Sequence, residues 1–325
     1  MKRHHPILLV FALCLFTSNP LVGSPVTEYG QLEAREGKIT AAKVDHPVQV
    51  KGLSLFWGNS GWGQEKQWTA ENVRRFADDW GITIIRAAMG VEDGGGYLNV
   101  QEDGSYLIDV SNKERLITVI DAAIVAGIYV IIDWHSHHAE KHTESAKSFF
   151  DEMAQKYGQH DNVIFEIYNE PLNDIPWQDI KAYAEEVIPV IRKHSDNLIL
   201  VGTRTWSQRV DEAAEDPISQ YSNIAYVLHF YVASHGESVR EHAKNAIQKG
   251  LPIFVSEWGF WGDSDNALYV NETGMSGSDW LDWLDSHQIS WCAWAISDKD
   301  EPSSLLKEDG SPTVFGEFVK QRLNQ

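Results

Sequence analysis

Two glutamates of the sequence stand where a carboxylate can take part in a reaction. Glu170 follows the mostly apolar run 163–167, and Glu257 follows the apolar run 253–255. A carboxylate at the end of a buried strand must be paired or in use, because burying it alone costs several kcal/mol. A structural ion pair with Arg86 is the alternative for either residue. Two carboxylates that face each other across a cleft are the usual equipment for cleaving a glycosidic bond.

Polar or aromatic side chains also end the other apolar runs of the chain. The third run ends in Asp133-Trp134-His135, and the sixth ends in His229-Phe230-Tyr231. The other groups of this kind are Trp57 in the first run, Arg86 in the second, Trp206 in the fifth and Trp294 in the eighth. The βα loops of a parallel barrel gather at the carboxyl ends of its strands, so these groups are expected to surround one cavity.

The elements that must position these groups are eight short β-branched runs, separated by amphipathic stretches. The runs are 48–57, 82–88, 128–135, 163–170, 198–206, 224–231, 253–257 and 290–297. The amphipathic stretches are 69–80, 113–126, 145–157, 179–194, 238–249 and 278–287, with 312–323 closing the series and 207–218 the least regular. Near-continuous apolar runs are typical of parallel strands that are buried on both faces. No Gly-rich GxGxxG motif follows the first run, which argues against a dinucleotide-binding fold.

Eight such units predict an α/β protein with a single (β/α)8 TIM barrel. Two short extended pieces around Glu36-Gly37, within residues 27–47, predict a β-hairpin that precedes the barrel. The chain shows no Pro/Ser/Thr-rich linker and no second zone of composition. We therefore predict one catalytic domain, residues 25–325.

The first 24 residues differ in pattern from the rest of the chain. Lys2 and Arg3 precede the apolar run 7–16, and small and turn-forming residues follow up to Pro25. This pattern is typical of a secretory signal peptide that is removed on export, and an uncleaved N-terminal anchor is the alternative. We predict a signal peptide at residues 1–24 and a secreted protein, extracellular or periplasmic.

The composition of the chain limits the kinds of molecule that it is expected to bind. The formal net charge of the 325 residues is −20, which disfavours nucleic acid and suits a neutral substrate such as a polysaccharide. The run 7–16 is too short to span a bilayer, and no later run reaches about 18 apolar residues, so no membrane partner is expected after export. Cys292 is the only cysteine beyond the leader, so no internal disulfide is expected, and a monomer is predicted.

The strand-end motifs occur in the order of a known family. They are Asp79-Trp80-Gly81-Ile82, Arg86-Ala87-Ala88-Met89, Asp133-Trp134-His135, Ile167-Tyr168-Asn169-Glu170-Pro171, Leu228-His229-Phe230-Tyr231, Val255-Ser256-Glu257-Trp258-Gly259 and Trp294-Ala295-Ile296-Ser297-Asp298-Lys299. On these motifs the chain resembles glycoside hydrolase family 5, and within it the bacterial endoglucanases (cellulases). The resemblance implies a retaining endo-β-1,4-glucanase that acts on a β-1,4-glucan without a cofactor.

The resemblance also implies a role for individual residues. Glu170 matches the general acid/base, Glu257 matches the nucleophile, and Asn169 matches the residue that hydrogen-bonds the sugar 2-hydroxyl. Arg86 and Tyr231 match the groups that orient the nucleophile and keep it ionised. The remaining matches are His135 and His229, which line the cleavage site, Trp294 beneath the distorted sugar, and Lys299 and Glu301, which hold glucose units further along the cleft.

Tryptophans and histidines of the same loops allow more than one interpretation. Trp57 and Trp206 are predicted to stack on glucose rings, and Trp62 and Trp261 are either such platforms or core residues. Trp80, Trp280 and Trp283 recur on helical faces and are assigned to the core. His137, His138 and His142 predict a polar loop over the cleft. Together with His135 they predict no metal site, because adjacent histidines on a loop rarely converge on one ion.

Two alternatives to cellulose cleavage stay open at this point. The same machinery can act on mannan, xyloglucan or mixed-linkage glucan. The chain can also be a sugar-binding barrel that has lost catalysis. The two glutamates together with Asn169, Tyr231 and Arg86 argue against a binder, because binding alone does not need the pair.

Overall fold

Strands and helices alternate along nearly the whole chain. The computed structural model describes residues 23–101, 105–260 and 274–325. The strands are β1 (Leu32–Arg35), β2 (Lys38–Ala41), β3 (Lys51–Leu55), β4 (Ile84–Gly90), β5 (Leu98–Val100), β6 (Tyr106–Ile108), β7 (Tyr129–His135), β8 (Val163–Glu166), β9 (Ile199–Val201), β10 (Ile224–Tyr231), β11 (Ile253–Gly259) and β12 (Trp291–Ile296). Eight of these, β3, β4 and β7 to β12, pair in parallel and close into a barrel.

Helices follow the barrel strands and cover the outside of the barrel, and one short helix precedes the first strand. They are α1 (Pro25–Tyr29), α2 (Ala70–Arg75), α3 (Val110–Ala126), α4 (Thr143–Tyr157), α5 (Trp177–Arg192), α6 (Arg204–Ser207), α7 (Val210–Glu215), α8 (Glu237–Gln248), α9 (Gly277–His287) and α10 (Val314–Leu323). A π-helical turn, Phe76–Trp80, continues α2, and 3₁₀ turns cover Glu65–Gln67 and Ala139–His142. Within the described ranges, no helix has both the length and the apolar character that crossing a membrane requires.

Side chains of the barrel strands alternate between the helices and the barrel interior. The outward set packs with the helices into one large apolar core. The inward set forms a separate apolar layer, which includes Val50, Ile84, Tyr129, Ile131, Ile164, Leu200, Val227, Phe254 and Cys292. Two residues further along several strands, the inward position is polar: Arg86, Asp133, Glu166, His229 and Ser256. The apolar layer therefore supports a polar layer beneath the carboxyl ends of the strands.

The β1–β2 hairpin closes the opposite end of the barrel. Leu32, Ile39 and Ala41 belong to the same apolar cluster as the barrel interior. The hydroxyl of Tyr129, the first residue of β7, donates to the carbonyl of Gly30 at 2.5 Å. The two residues of the hairpin turn, at positions 36 and 37, both have positive φ, as a tight turn between twisted strands requires.

The predicted TIM barrel and the hairpin before it are confirmed, and two strand lengths differ from the prediction. The runs 163–170 and 198–206 form only β8 and β9, which pair through two residue positions. Beyond β9, Thr203 has extended backbone and precedes α6, so the chain leaves the sheet before Trp206. The irregular stretch 207–218 contains the short helix α7.

Candidate active site

Glu170 and Glu257 meet at the carboxyl ends of the strands. Glu257 lies in β11, and Glu170 lies four residues after the end of β8. A carboxylate oxygen of Glu170 lies within 4.8 Å of one of Glu257. Both residues line a cleft of about 540 Å³. The geometric premise of the sequence argument, that the two side chains share one mouth of the barrel, is met.

Glu257 is held by a cation on one oxygen and a phenol on the other. Arg86 donates from Nη1 to Oε2 at 2.8 Å, and the Tyr231 hydroxyl donates to Oε1 at 2.5 Å. Burial and the charge of Glu257 raise the pKa of Tyr231, so this hydroxyl stays protonated and remains a donor. With both oxygens fixed, the carboxylate has one orientation in the cleft.

Arg86 is fully buried and serves three carboxylates. Its Nε and Nη2 donate to the two oxygens of Glu166 at 2.8 and 3.0 Å, and Nη2 lies 2.9 Å from Oδ2 of Asp133. Burial lowers the pKa of Arg86, but the carboxylates of Asp133, Glu166 and Glu257 raise it further, so the guanidinium keeps its charge. Burial raises the pKa of both Asp133 and Glu166, which Arg86 opposes. The ion pair considered for Arg86 therefore exists, and it includes Glu257.

Asn169 and His135 are positioned by the same cluster. Arg86 donates from Nη2 to Oδ1 of Asn169 at 2.7 Å, and this bond directs the amide nitrogen of Asn169 to Nε2 of His135 at 3.5 Å. Nδ1 of His135 lies 2.6 Å from Oδ2 of Asp133. Burial and the charge of Arg86 lower the pKa of His135, so its ring is neutral and donates from Nδ1.

Glu170 lies in an environment that favours its protonated form. Its Oε1 is 2.9 Å from Nδ1 of His229, and His137 Nδ1 donates to its backbone carbonyl at 3.0 Å. Burial raises the pKa of Glu170 well above the ordinary carboxyl value, and the negative charge of Glu257 raises it further. Glu170 is therefore suited to hold a proton that it can transfer.

Aromatic rings form the walls of the cleft. The rings of Trp57 and His135 pack edge to face, with centroids 4.1 Å apart, and the ring of Trp294 stacks parallel to that of His135 at 5.4 Å. Trp206 is 42% exposed and lines the cleft from α6. Trp62 stacks on Trp57 at the rim, whereas Trp261 lies outside the described residues. The tryptophans assigned to the core, Trp80, Trp280 and Trp283, are buried.

The predicted site residues occupy three zones. The cleft is lined by Trp57, His135, Glu170, Trp206, His229, Tyr231, Glu257, Trp294 and Glu301. Arg86 and Asn169 lie directly beneath these residues. Lys299 borders an adjacent cavity that also reaches Glu301, and its ammonium group lies 4.5 Å from the centre of the Phe56 ring. Burial raises the pKa of Glu301.

Three carboxylate and imidazole groups come close enough together to be considered as metal ligands. They are Glu170, His229 and Glu257, which each offer one atom within 4.8 Å of the others. Their atoms already have protein partners, since Glu257 accepts from Arg86 and Tyr231 and Glu170 bonds to His229. An ion here would have to compete with the buried guanidinium charge. The donor set fits proton transfer better than metal binding.

Sequence reasoning missed Glu166 and Ser256, and it gave Asp133 no role. All three are fully buried in the polar layer, and Ser256 donates from Oγ to Oε1 of Glu166 at 2.7 Å. The period-2 alternation of the strands carries the missing signal, because Glu166 follows the inward residue Ile164 by two positions. A buried arginine at the same level needs carboxylate partners, which also points to these positions.

Comparison with known proteins identifies the family of the chain. Residues 41–300 match the family model described as cellulase (glycosyl hydrolase family 5). The chain belongs to this family. Endoglucanase Z of Dickeya dadantii is 48% identical over 272 residues, which are 83% of this chain and 61% of that protein. Endoglucanase A of Evansella cellulosilytica is 39% identical over 100% of this chain and 67% of its own length. The chain therefore spans only about two thirds of the length of these two relatives.

Solved structures share this architecture. The catalytic domain of Thermobifida fusca endoglucanase Cel5A superposes with a TM-score of 0.79 at 30% identity, covering 93% of this chain and 100% of that domain. A structure from Cytophaga hutchinsonii gives a TM-score of 0.80 at 39% identity and covers 92% of this chain and 96% of that one. The barrel predicted from the strand pattern is that of family 5.

Proposed function

We propose that this protein is an endo-β-1,4-glucanase that hydrolyses internal bonds of cellulose-type glucans with retention of configuration. The observation that carries the proposal is the approach of Glu170 and Glu257 to within 4.8 Å across the cleft. Retaining glycosidases hold their carboxyl groups about 5–5.5 Å apart, whereas inverting enzymes need about 6.5–9.5 Å to fit a water molecule between acid and base. The short separation favours direct attack by one carboxylate.

The contacts of the two residues assign the roles. Glu257, which accepts hydrogen bonds from Arg86 and Tyr231, attacks the anomeric carbon as Glu170 gives its proton to the leaving oxygen. A glycosyl ester on Glu257 forms, and its negative charge disappears. The pKa of Glu170 then falls, and its carboxylate takes a proton from the water that attacks the anomeric carbon and releases Glu257. Asn169 is positioned to bind the 2-hydroxyl through both steps.

The choice of glucan rests on the relatives and on the aromatic walls. The relatives compared above are named endoglucanases, and the Thermobifida fusca domain has been solved in complex with cellotetraose. Trp57, Trp206 and Trp294 offer flat faces along the cleft, which suit the faces of glucose rings in a β-1,4 chain.

A panel of soluble polysaccharides tests the proposal. Carboxymethylcellulose is expected to lose viscosity rapidly, whereas galactomannan, xyloglucan and mixed-linkage glucan should be cleaved more slowly. NMR of the first product is expected to show the β-anomer. Glu257→Ala should abolish turnover with an unchanged circular dichroism spectrum, and Glu71→Ala, an exposed glutamate of α2, is the matched control. A first product with the α-anomer, or substantial activity in Glu257→Ala, would refute the mechanism.

We also propose that the protein is exported and acts as a monomer. The support is the leader-like pattern of residues 1–24 and the acidic surface charge. Mass spectrometry of the protein from the medium or periplasm should give an N-terminus near residue 25, and light scattering of that material should give the mass of one chain. An intact N-terminus in a membrane fraction would contradict export.

A further inference from the structure

A continuous chain of hydrogen bonds runs from Glu170 into the barrel. Oε1 of Glu170 lies 2.9 Å from Nδ1 of His229, whose Nε2 lies 2.9 Å from Oγ of Ser256. Ser256 lies 2.7 Å from Oε1 of Glu166. His229 is 1% exposed, and Ser256 and Glu166 are fully buried, so solvent does not reach the lower links. Each proton in this chain therefore has a defined place.

The direction of donation along these hydrogen bonds follows from the end at Glu166. Both oxygens of Glu166 accept N–H groups from Arg86, at 2.8 and 3.0 Å, so this carboxylate is an acceptor towards Ser256. The hydroxyl proton of Ser256 is donated to Glu166. The oxygen of Ser256 can therefore only accept towards His229, and it accepts from Nε2–H of that ring. Burial and the charge of Arg86 lower the pKa of His229 well below its ordinary value, so the ring is neutral and carries one proton.

We propose that Ser256 and Glu166 are positioning residues that hold the single ring proton of His229 on Nε2, so that Nδ1 accepts a hydrogen bond from the protonated carboxyl group of Glu170. The catalytic meaning of this arrangement rests on the proposed function, in which Glu170 is the acid/base. The arrangement itself is a property of the unliganded protein.

An acceptor at Nδ1 helps Glu170 in both steps of the proposed reaction. Before cleavage it stabilises the carboxylic acid, which keeps the proton available for the leaving oxygen. After the glycosyl ester has formed, the lone pair of Nδ1 faces the carboxylate of Glu170 and makes it a stronger base towards water. The opposite tautomer of His229 would stabilise the carboxylate and weaken both functions.

Removing the serine hydroxyl isolates this effect from the other charges of the site. The ionisable groups that face Glu170 or His229 are Arg86, Asp133, His135, His137, Glu166, Tyr231 and Glu257. Ser256→Ala leaves all of them in place. Oε1 of Glu166 is 4.0 Å from Nε2 of His229, which is too far for a direct hydrogen bond. In the variant, the ring proton is free to move to Nδ1 and donate to Glu170.

The pH profile of kcat/KM tests the functional consequence. The alkaline limb of the profile reports the loss of the proton of Glu170. A hydrogen bond donated to a carboxylate lowers its pKa by about one unit, so this limb is expected to move down by about one pH unit in Ser256→Ala. The acidic limb is expected to stay unchanged. Ser256→Thr, which keeps a hydroxyl, should retain the wild-type profile. Ser54→Ala is the matched control, because Ser54 is equally buried on another strand of the barrel and its hydroxyl donates to the Leu55 carbonyl. A lower rate in Ser256→Ala with an unmoved alkaline limb would overturn the proposal.

The tautomer can be measured without substrate, which separates this proposal from the proposed function. Nitrogen-15 NMR of histidine-labelled protein at pH 8, above the pKa of about 7 to which burial raises Glu166, is expected to show His229 with a bare Nδ1 and a protonated Nε2. The His229→Gln spectrum supplies the assignment. In Ser256→Ala, the Nδ1 signal should move towards that of a protonated nitrogen. A wild-type ring with its proton on Nδ1, or the same spectrum in both proteins, would refute the tautomer lock. Inactivity of the wild type on every polysaccharide would refute only the endoglucanase assignment.

Discussion

Replacing Glu257 with glutamine removes the negative charge nearest to Glu170 and keeps the size of the side chain. The two carboxyl groups approach to within 4.8 Å. With an effective dielectric constant of about 20, unit charges at that separation repel by about 3.5 kcal/mol, equivalent to about 2.5 pKa units. Arg86 already offsets part of the charge of Glu257 through its 2.8 Å contact. We expect the pKa of Glu170 to fall by about two units in Glu257→Gln.

Carbon-13 NMR of the glutamate side-chain carboxyl carbons measures this pKa directly. The signal of Glu170 is assigned by comparing Glu257→Gln with the double variant that also carries Glu170→Gln, and the same comparison is made in the wild-type background. Glu301→Gln is the control, because Glu301 borders the same cleft and is absent from the main charges acting on Glu170. Glu301→Gln should leave the pKa of Glu170 nearly unchanged. An unchanged or higher pKa of Glu170 in Glu257→Gln would mean that burial alone raises this pKa. The proposal that Glu170 becomes a base when Glu257 loses its charge would then be wrong.

Three further outcomes follow from the contacts of the site. Arg86→Met should lower the free energy of unfolding by about 3–5 kcal/mol at pH 9, because buried carboxylates lose their cation. Chemical denaturation should show a smaller loss at pH 5, because burial raises the pKa of Asp133 to about 8 and that of Glu166 to about 7, so both groups are protonated there. Trp206→Ala should raise KM for long oligosaccharides by about 3–10-fold with an unchanged Tm, since the ring is 42% exposed. Trp80→Ala should instead lower stability by about 3–5 kcal/mol and leave KM unchanged, because Trp80 is a buried core residue; a KM effect here would contradict the division into core and cleft tryptophans.

The strand pattern of the sequence was sufficient to predict the barrel and its reactive end. Each barrel strand buries both faces, so its run of β-branched residues is visible without knowledge of its partners. The ends of β8 and β9 were overestimated, because strand length depends on pairing with a neighbour, and these two strands pair at only two positions. Pairing is a tertiary property that a local pattern does not contain.

The upper residues of the site were predicted, and the layer beneath them was not. Glu170 and Glu257 follow apolar runs, which made them conspicuous. Glu166 and Ser256 lie within or beside the same runs, where a polar residue resembles an interruption of the pattern. Their place is explained by the buried charge of Arg86, and the number of carboxylates that share one guanidinium can only be read from three-dimensional contacts.

The hairpin at the closed end of the barrel determines how the molecule can be attached to a support. Residues of α1 lie beside Gly127, which precedes β7, so the start of the described chain is on the face opposite the cleft. A tether joined ahead of Pro25 would hold the barrel with its cleft pointing outward, towards a polymer in solution. Linkage through the side chains that ring the cleft would instead press the reactive face against the surface, and a matrix-bound preparation should therefore be coupled through its N-terminal end.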